Sequence, residues 1–366
     1  MNDTNTQLAN VRVSKNNMPN IYPDSSTGAF LEHLAEALVS STPQQDNRPK
    51  NTLLNLPYDV FLCVIDHLAL QDMFILSRTC RSMRAITLCD WESELENLSR
   101  TDEMDFWTGI GYIMPKTWVC FSCCKLHPVD PSDSPRSRKS VCGFDPMITS
   151  ALSDRGAPSY CGLFHRHVQL ALKYSRSGTN LQYLQKLMLP ENQGLYRPYG
   201  CYTTEPKIVG NRFLSRERSI FRRRQQQIPF TPEFVTVSFR LCPHQVLRTR
   251  SQDEVPRDTF FHPSLEFEDK LDLAFKFLGR EIEGHCPHCL TDYSVLVSGC
   301  RRTITFYAWR DFGSYGSPDN IVWQSQMRSE GQNTERTPMM VWNRVPGIVR
   351  QLYGDGSPSA PVPNIH

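Results

Sequence analysis

The stretch Leu53–Ile86, LLNLPYDVFLCVIDHLALQDMFILSRTCRSMRAI, decides how this chain begins to fold. Pro57 suits a first helical position, where no backbone donor is needed, and Asp59 favours the positive end of the helix dipole. Val60, Phe61, Val64, Ile65 and Leu68 recur at three- and four-residue spacing, which predicts one apolar helical stripe. Asp72 can open a second short helix carrying Met73, Ile75 and Leu76. A third would carry Met83 and Ile86, and Trp91, Leu95 and Leu98 would share one face of a fourth. Some fifty residues of short helices (about 51–99) form a unit too small to be comfortably stable alone. Such a unit completes its core against a partner.

Around this segment lies a chain of 366 residues, long enough for two or three domains. Lys plus Arg number 40 against 38 Asp plus Glu, so the net charge is +2 and exerts no global pull toward nucleic acid or an anionic membrane. The N-terminus has no apolar core of a secretory signal, and no run of ~18 apolar residues occurs. The sequence thus predicts a soluble chain of the cytoplasm or nucleus. Its 13 cysteines are then free thiols or metal ligands rather than disulfides.

Residues 1–50 are rich in Asn, Ser, Thr, Gln and Pro and predict a disordered tail. Phe30, Leu31, Leu34 and Leu38 form one island at helical spacing. Residues 129–160 read as a polar loop and His165 to Tyr174 as a helix. Arg212 to Arg224, RFLSRERSIFRRR, reads as a solvated helix face, with nuclear import or an acidic partner as the alternative. Strand signals come late. Val235, Val237, Phe239 and Leu241 alternate with polar residues. Tyr293, Val295 and Val297 alternate again, as do Ile304, Phe306 and Ala308, and these two runs can form a hairpin. Residues 346–366 read as a tail with no fold of its own. The fold class is α+β: a small all-helical module, then an irregular α+β domain over residues 100–345.

Cys120 and Cys123 stand as C-x2-C in WVCFSCCKLHP, and Cys286 and Cys289 repeat that spacing. Together they make a four-thiolate set suited to one structural zinc ion. The gap of 162 residues between the pairs far exceeds the ~12–20 of compact zinc modules. Such a site would staple the start of the domain to its end. Cys124, Cys142, Cys161, Cys242, His244, His285 and His288 are also of ligand type, and Cys242-Pro243-His244 reads as a ligand pair or simply a turn. No nucleophile elbow, phosphate-binding loop or H-E-x-x-H motif occurs. Gly109 and Gly111 make only a fragment of a dinucleotide loop. His165 and His167 would point apart on a helix, which disfavours them as a ligand pair. The residues argue for a binding protein rather than an enzyme.

The first quoted stretch resembles the F-box. The matches are Leu56-Pro57, Asp59, the Val64-Ile65 to Leu68 stripe, Leu70, Asp72-Met73, Leu76 and Cys80-Arg81. Met83 departs from it, since most F-boxes have a Trp near that position. Beyond it, Cys120 to Pro128, Leu241 to His244 and Cys286 to Tyr293 resemble elements that often follow the F-box in proteins of filamentous fungi. The resemblance implies a helical module docking on a Skp-type adaptor, and through it a cullin-RING ubiquitin ligase. By position, Leu56 and Pro57 would sit at the adaptor groove. Val60, Val64, Leu68, Leu70 and Leu76 would divide between that contact and the module's own core. The chain would be a substrate receptor for an unidentified target protein, with no residue performing chemistry. The alternative is a zinc-stapled interaction scaffold or a nucleic-acid-associated protein using Arg212 to Arg224.

Overall fold

The computed structural model describes residues 56–87, 89–137, 142, 163–194, 200–224, 227–232, 239–247, 265–327 and 343–355. The N-terminal tail, its apolar island and most of the 129–160 loop lie outside them. The chain divides into two compact units, Met1–Asn97 and Leu98–His366.

The first unit is helical: α1 (Tyr58–Asp66), α2 (Leu70–Ser77), α3 (Arg81–Thr87) and α4 (Trp91–Glu96). Pro57 stands just before α1, and its carbonyl accepts from the Phe61 amide at 2.9 Å. Phe61, Ile65 and Met83 form the core, with Leu68, Met73, Leu76 and Ile86 packed against it. The edge of Trp91 meets Phe74 at 5.1 Å. Asp90 caps α4 through the Ser93 amide. The α4 helix stops at Glu96, so Leu98 falls outside the face it was expected to share with Trp91 and Leu95.

The second unit opens with α5 (Arg100–Ile113), capped by Ser99, which the apolar pattern did not suggest. The glycines read as a loop fragment are part of this helix. A Cβ on Gly111 would meet Val119 at 3.0 Å and Leu126 at 3.2 Å, so the glycine lets a hairpin approach. That hairpin is β1 (Thr117–Cys120) with β2 (Lys125–Pro128). Then come α6 (His165–Ser177), α7 (Leu181–Leu187), β3 (Glu191–Gly194), β4 (Gly200–Val209) and β5 (Arg212–Arg222). A small hairpin, β6 (Phe239–Cys242) with β7 (Gln245–Leu247), precedes α8 (Leu265–Lys276). The chain continues through β8 (Glu281–His285), β9 (Thr291–Val297), β10 (Thr303–Ser314), α9 (Ile321–Met327) and α10 (Ile348–Asp355).

Six strands make one antiparallel sheet in the order β3-β4-β5-β10-β9-β8. The β9–β10 hairpin expected from the alternating pattern is present, with Phe306 opposite Val295. Ile304, Phe306 and Ala308 join Tyr293, Val295 and Val297 under Phe267, Leu271 and Ala274 of α8. Trp309 faces the other way and packs with Val349 of α10. A second core gathers around α6, with Phe213, Phe312 and Trp323.

Two expectations are corrected here. Arg212 to Arg222 form a central strand, not a solvated helix face, because their period is two. Phe213, Glu217 and Phe221 are buried, while Arg212, Arg216, Arg218 and Arg222 alternate onto the opposite side. Arg212 pairs with Asp311 and Arg216 with Glu205, so this segment spends charge on its own sheet. Residues 346–366 are not wholly without fold either. The α10 helix forms because both oxygens of buried Asp292 are used: one accepts from the Val349 and Arg350 amides, the other from Arg344.

Candidate functional site

Three hairpin turns carry most of the chemically distinctive residues of the second unit. The first joins β1 to β2. Cys120 closes β1, Cys123 sits in the turn, and His127 lies on β2 opposite Trp118, stacked on its ring at 5.0 Å. The Cys124 amide reaches the Cys120 carbonyl at 3.0 Å, and the residue's positive φ of 51° then turns the chain back into β2. Cys142 returns to the same place, and the ligand atoms of Cys120, Cys123, His127 and Cys142 all lie within 4.8 Å of one another. The Cys123 sulfur is 3.0 Å from His127 Nε2.

The other two turns face each other. Cys242 and His244 occupy the β6–β7 turn, and Cys286 and Cys289 bracket the β8–β9 turn. Their four ligand atoms again lie within 4.8 Å. All three cysteines are fully buried. His244 has a buried Nδ1 without a hydrogen-bond partner. The His288 amide donates toward the Cys286 sulfur at 3.4 Å, a turn geometry that suits a thiolate.

Each cluster has one thiol that carries charge more readily than its neighbours. The Cys123 thiol holds Cys120 down at about 3 against the opposing effect of burial, helped by His127 and the amides of Cys123 and Ser122. Cys123 is raised in return, chiefly because it donates to Cys120. In the second cluster burial pushes all three thiols up. Hydrogen bonds from Cys242 and Cys289 nevertheless bring Cys286 well below the usual thiol range, while Cys242 and Cys289 stay high.

The four cysteines expected to share one zinc are therefore not brought together. Cys120 and Cys123 belong to the first cluster, Cys286 and Cys289 to the second. The reason is local. Eighteen residues separate Cys123 from Cys142, within the ~12–20 of compact metal modules, so a nearer partner completes the first knuckle. The second is completed by Cys242 and His244. His127 was the ligand-type residue the spacing should have flagged, as the end of C-x2-C-x3-H. His165 and His167 take other roles: His165 packs on Trp323 at 4.9 Å, and His167 contacts Asp133 at 3.1 Å.

The motifs around the cysteines acquire physical roles. Leu126 is buried beside His127. The Leu241 carbonyl accepts from buried Arg310, whose guanidinium also reaches Glu217 at 2.8 Å. Thr291 Oγ1 contacts Cys289 at 3.1 Å and Gln326 at 3.3 Å. Tyr293 lies over Gly284, where a Cβ would come within 2.3 Å of its ring. Any side chain there would displace that ring.

In the first unit, α1 has two faces. Phe61 and Ile65 are buried, whereas Leu56, Tyr58, Val60 and Val64 are exposed at 40, 67, 45 and 37%. Pro57 is exposed with them, Leu68 and Leu70 are half-buried, and Leu76 packs on the core. Leu56, Val60 and Val64 fall at four-residue spacing and form one strip, while Tyr58 is exposed off that line. Among the described residues no helix is long and apolar enough to cross a membrane.

No curated protein and no solved structure matches the chain. Residues 53–89 match the family model of the F-box domain, and this is the segment that carries the exposed strip. F-box domains bind Skp-type adaptors in cullin complexes. The chain carries an F-box domain at its N-terminal side, followed by an α+β domain.

Proposed function

We propose that the protein is a substrate-recognition subunit of an SCF-type cullin-RING ubiquitin ligase. The observation that carries this reading is the F-box at residues 53–89 with its uncovered apolar strip. Leu56, Pro57, Val60 and Val64 dock on the Skp-type adaptor, and Leu70 lies at the edge of that contact. Leu68 and Leu76 serve mainly the module's own core. Each aliphatic side chain fully covered on docking is worth roughly 1.5–3 kcal/mol, so three or four anchors suffice for a stable complex.

The second unit binds the target protein and holds it near the charged ubiquitin-conjugating enzyme. Catalysis is then by proximity, with no residue of this chain forming or breaking a bond. A structural metal fits this reading as part of the target-binding fold.

Co-purification with the Skp-type adaptor tests it. A Leu56→Ala, Pro57→Ala double variant should recover at least about tenfold less adaptor than wild type, the equivalent of about 1.4 kcal/mol. Both positions are exposed, so the module's core is spared. Equal recovery of the two proteins would sink the assignment.

A further inference from the structure

We propose that the second unit holds two zinc ions, one bound by Cys120, Cys123, His127 and Cys142, the other by Cys242, His244, Cys286 and Cys289. Each site offers three thiolates and one imidazole, and the two are structurally independent.

The donor chemistry points to zinc. Thiolates with one imidazole are soft to borderline ligands, which suit zinc over oxygen-seeking cations such as calcium or magnesium. The count is four in both places, the number of a closed structural site with no position left for water or substrate. The geometry fits as well. With Zn–S bonds of about 2.3 Å, ligand atoms of a tetrahedral site lie about 3.8 Å apart. The ligand atoms here already lie within 4.8 Å of one another, so both sites need only a small adjustment.

Three further features belong to metal knuckles rather than to chance neighbours. Both C-x2-C pairs sit in hairpin turns, and in the second the His288 amide points at the Cys286 sulfur. The second cluster buries three thiols, and beside them the buried Nδ1 of His244 has no hydrogen-bond partner, a cost that a metal bond removes. The twelve described cysteines are all free thiols, so neither cluster is an already formed disulfide pair. Arg310, which donates to the Leu241 carbonyl next to Cys242 and pairs with Glu217, stands beside the second cluster.

The proposal does not depend on the ligase assignment, and its readout is separate from adaptor binding. Purified full-length protein should contain about two zinc per chain by elemental analysis. Cys142→Ser and Cys242→Ser should each reduce this to about one, and the double variant to none. A content of one zinc that survives both substitutions would instead restore the shared set of Cys120, Cys123, Cys286 and Cys289. No bound zinc would overturn the proposal altogether.

Because Cys→Ser variants can fail to fold, His127→Cys and His244→Cys supply the second arm. Each should keep two metals, and in the cobalt-substituted protein each should shift the visible d–d bands toward those of an all-thiolate site. Unchanged bands in both variants would remove the histidines from the metal and overturn the ligand sets.

Discussion

The two cysteine clusters use the same four donors in opposite settings. The first sits on a hairpin that the sheet does not hold. Side chains of α6 prop it instead: Gln169 accepts from the Val119 amide at 3.1 Å, Lys173 donates to the carbonyls of Met114 and Thr117 at 2.8 and 2.5 Å, and Tyr174 donates to Pro115 at 2.9 Å. Two of its ligands, Cys123 and His127, remain half-buried. The second cluster has all three thiols fully buried, with only His244 half-buried, and is continuous with the sheet through β8 and β9. Thr291, Asp292 and Tyr293, just past its last ligand, reach α9, α10 and the central core. One site pins a local excursion of the chain; the other is a joint on which several elements converge.

This difference can be broken most directly by removing one sulfur from each site. Metal binding is coupled to folding, so each loss costs stability. Cys286→Ser should destabilise the protein by about 5 kcal/mol or more, and Cys123→Ser by roughly half of that. Denaturant unfolding of the metal-loaded proteins measures both, and equal losses would erase the distinction.

A smaller effect sharpens the idea of the second site as a joint. Asp292→Ala leaves Arg344 buried without its 2.7 Å partner and strips the N-terminus of α10. A loss of about 3–5 kcal/mol is expected. Hydrogen exchange should show α10 amides losing protection while the first hairpin keeps its own. Loss of protection in both places would mean the two sites are not separate.

The smallest effect, taken per pH unit, concerns the prop of the first site. Burial lowers Lys173 to about 7, from 10.5 in the unfolded chain. Between these values the unfolded chain holds a proton that the folded one has released. Stability therefore rises with pH from about 7 toward 10, by at most about 1.4 kcal/mol per unit. The two carbonyl acceptors favour the charged amine and partly offset this slope. In Lys173→Met the rise should vanish, and a slope that persists there belongs to another group.

The sequence revealed some of this arrangement and hid the rest for physical reasons. The F-box helices were legible because Val60 to Leu68 repeat with the period of a helix. That same period could not separate buried Phe61 and Ile65 from exposed Val60 and Val64, since neighbouring positions straddle the boundary between faces. The β9–β10 hairpin was legible through alternation. The strand Arg212–Arg222 was not, because its arginines suggested solvent while half of them pair within the sheet. Cys120-x2-Cys123 and Cys286-x2-Cys289 announced ligand-type hairpin turns, yet spacing carries no information about which turns meet. The α10 helix was hidden because its cap, Asp292, lies far away in the chain.

The spans of the two clusters also bear on time. The first closes over residues 120–142, with 18 residues between Cys123 and Cys142. The second must bring residue 242 to residue 289, with 41 residues between His244 and Cys286. The entropic penalty for the longer loop is modest, since each doubling of length adds only about 0.6 kcal/mol. Order of assembly is affected far more, because contacts distant in sequence form late. On the two-zinc proposal, a nascent chain would load its first metal while the strands of the sheet are still being made, and only later its second.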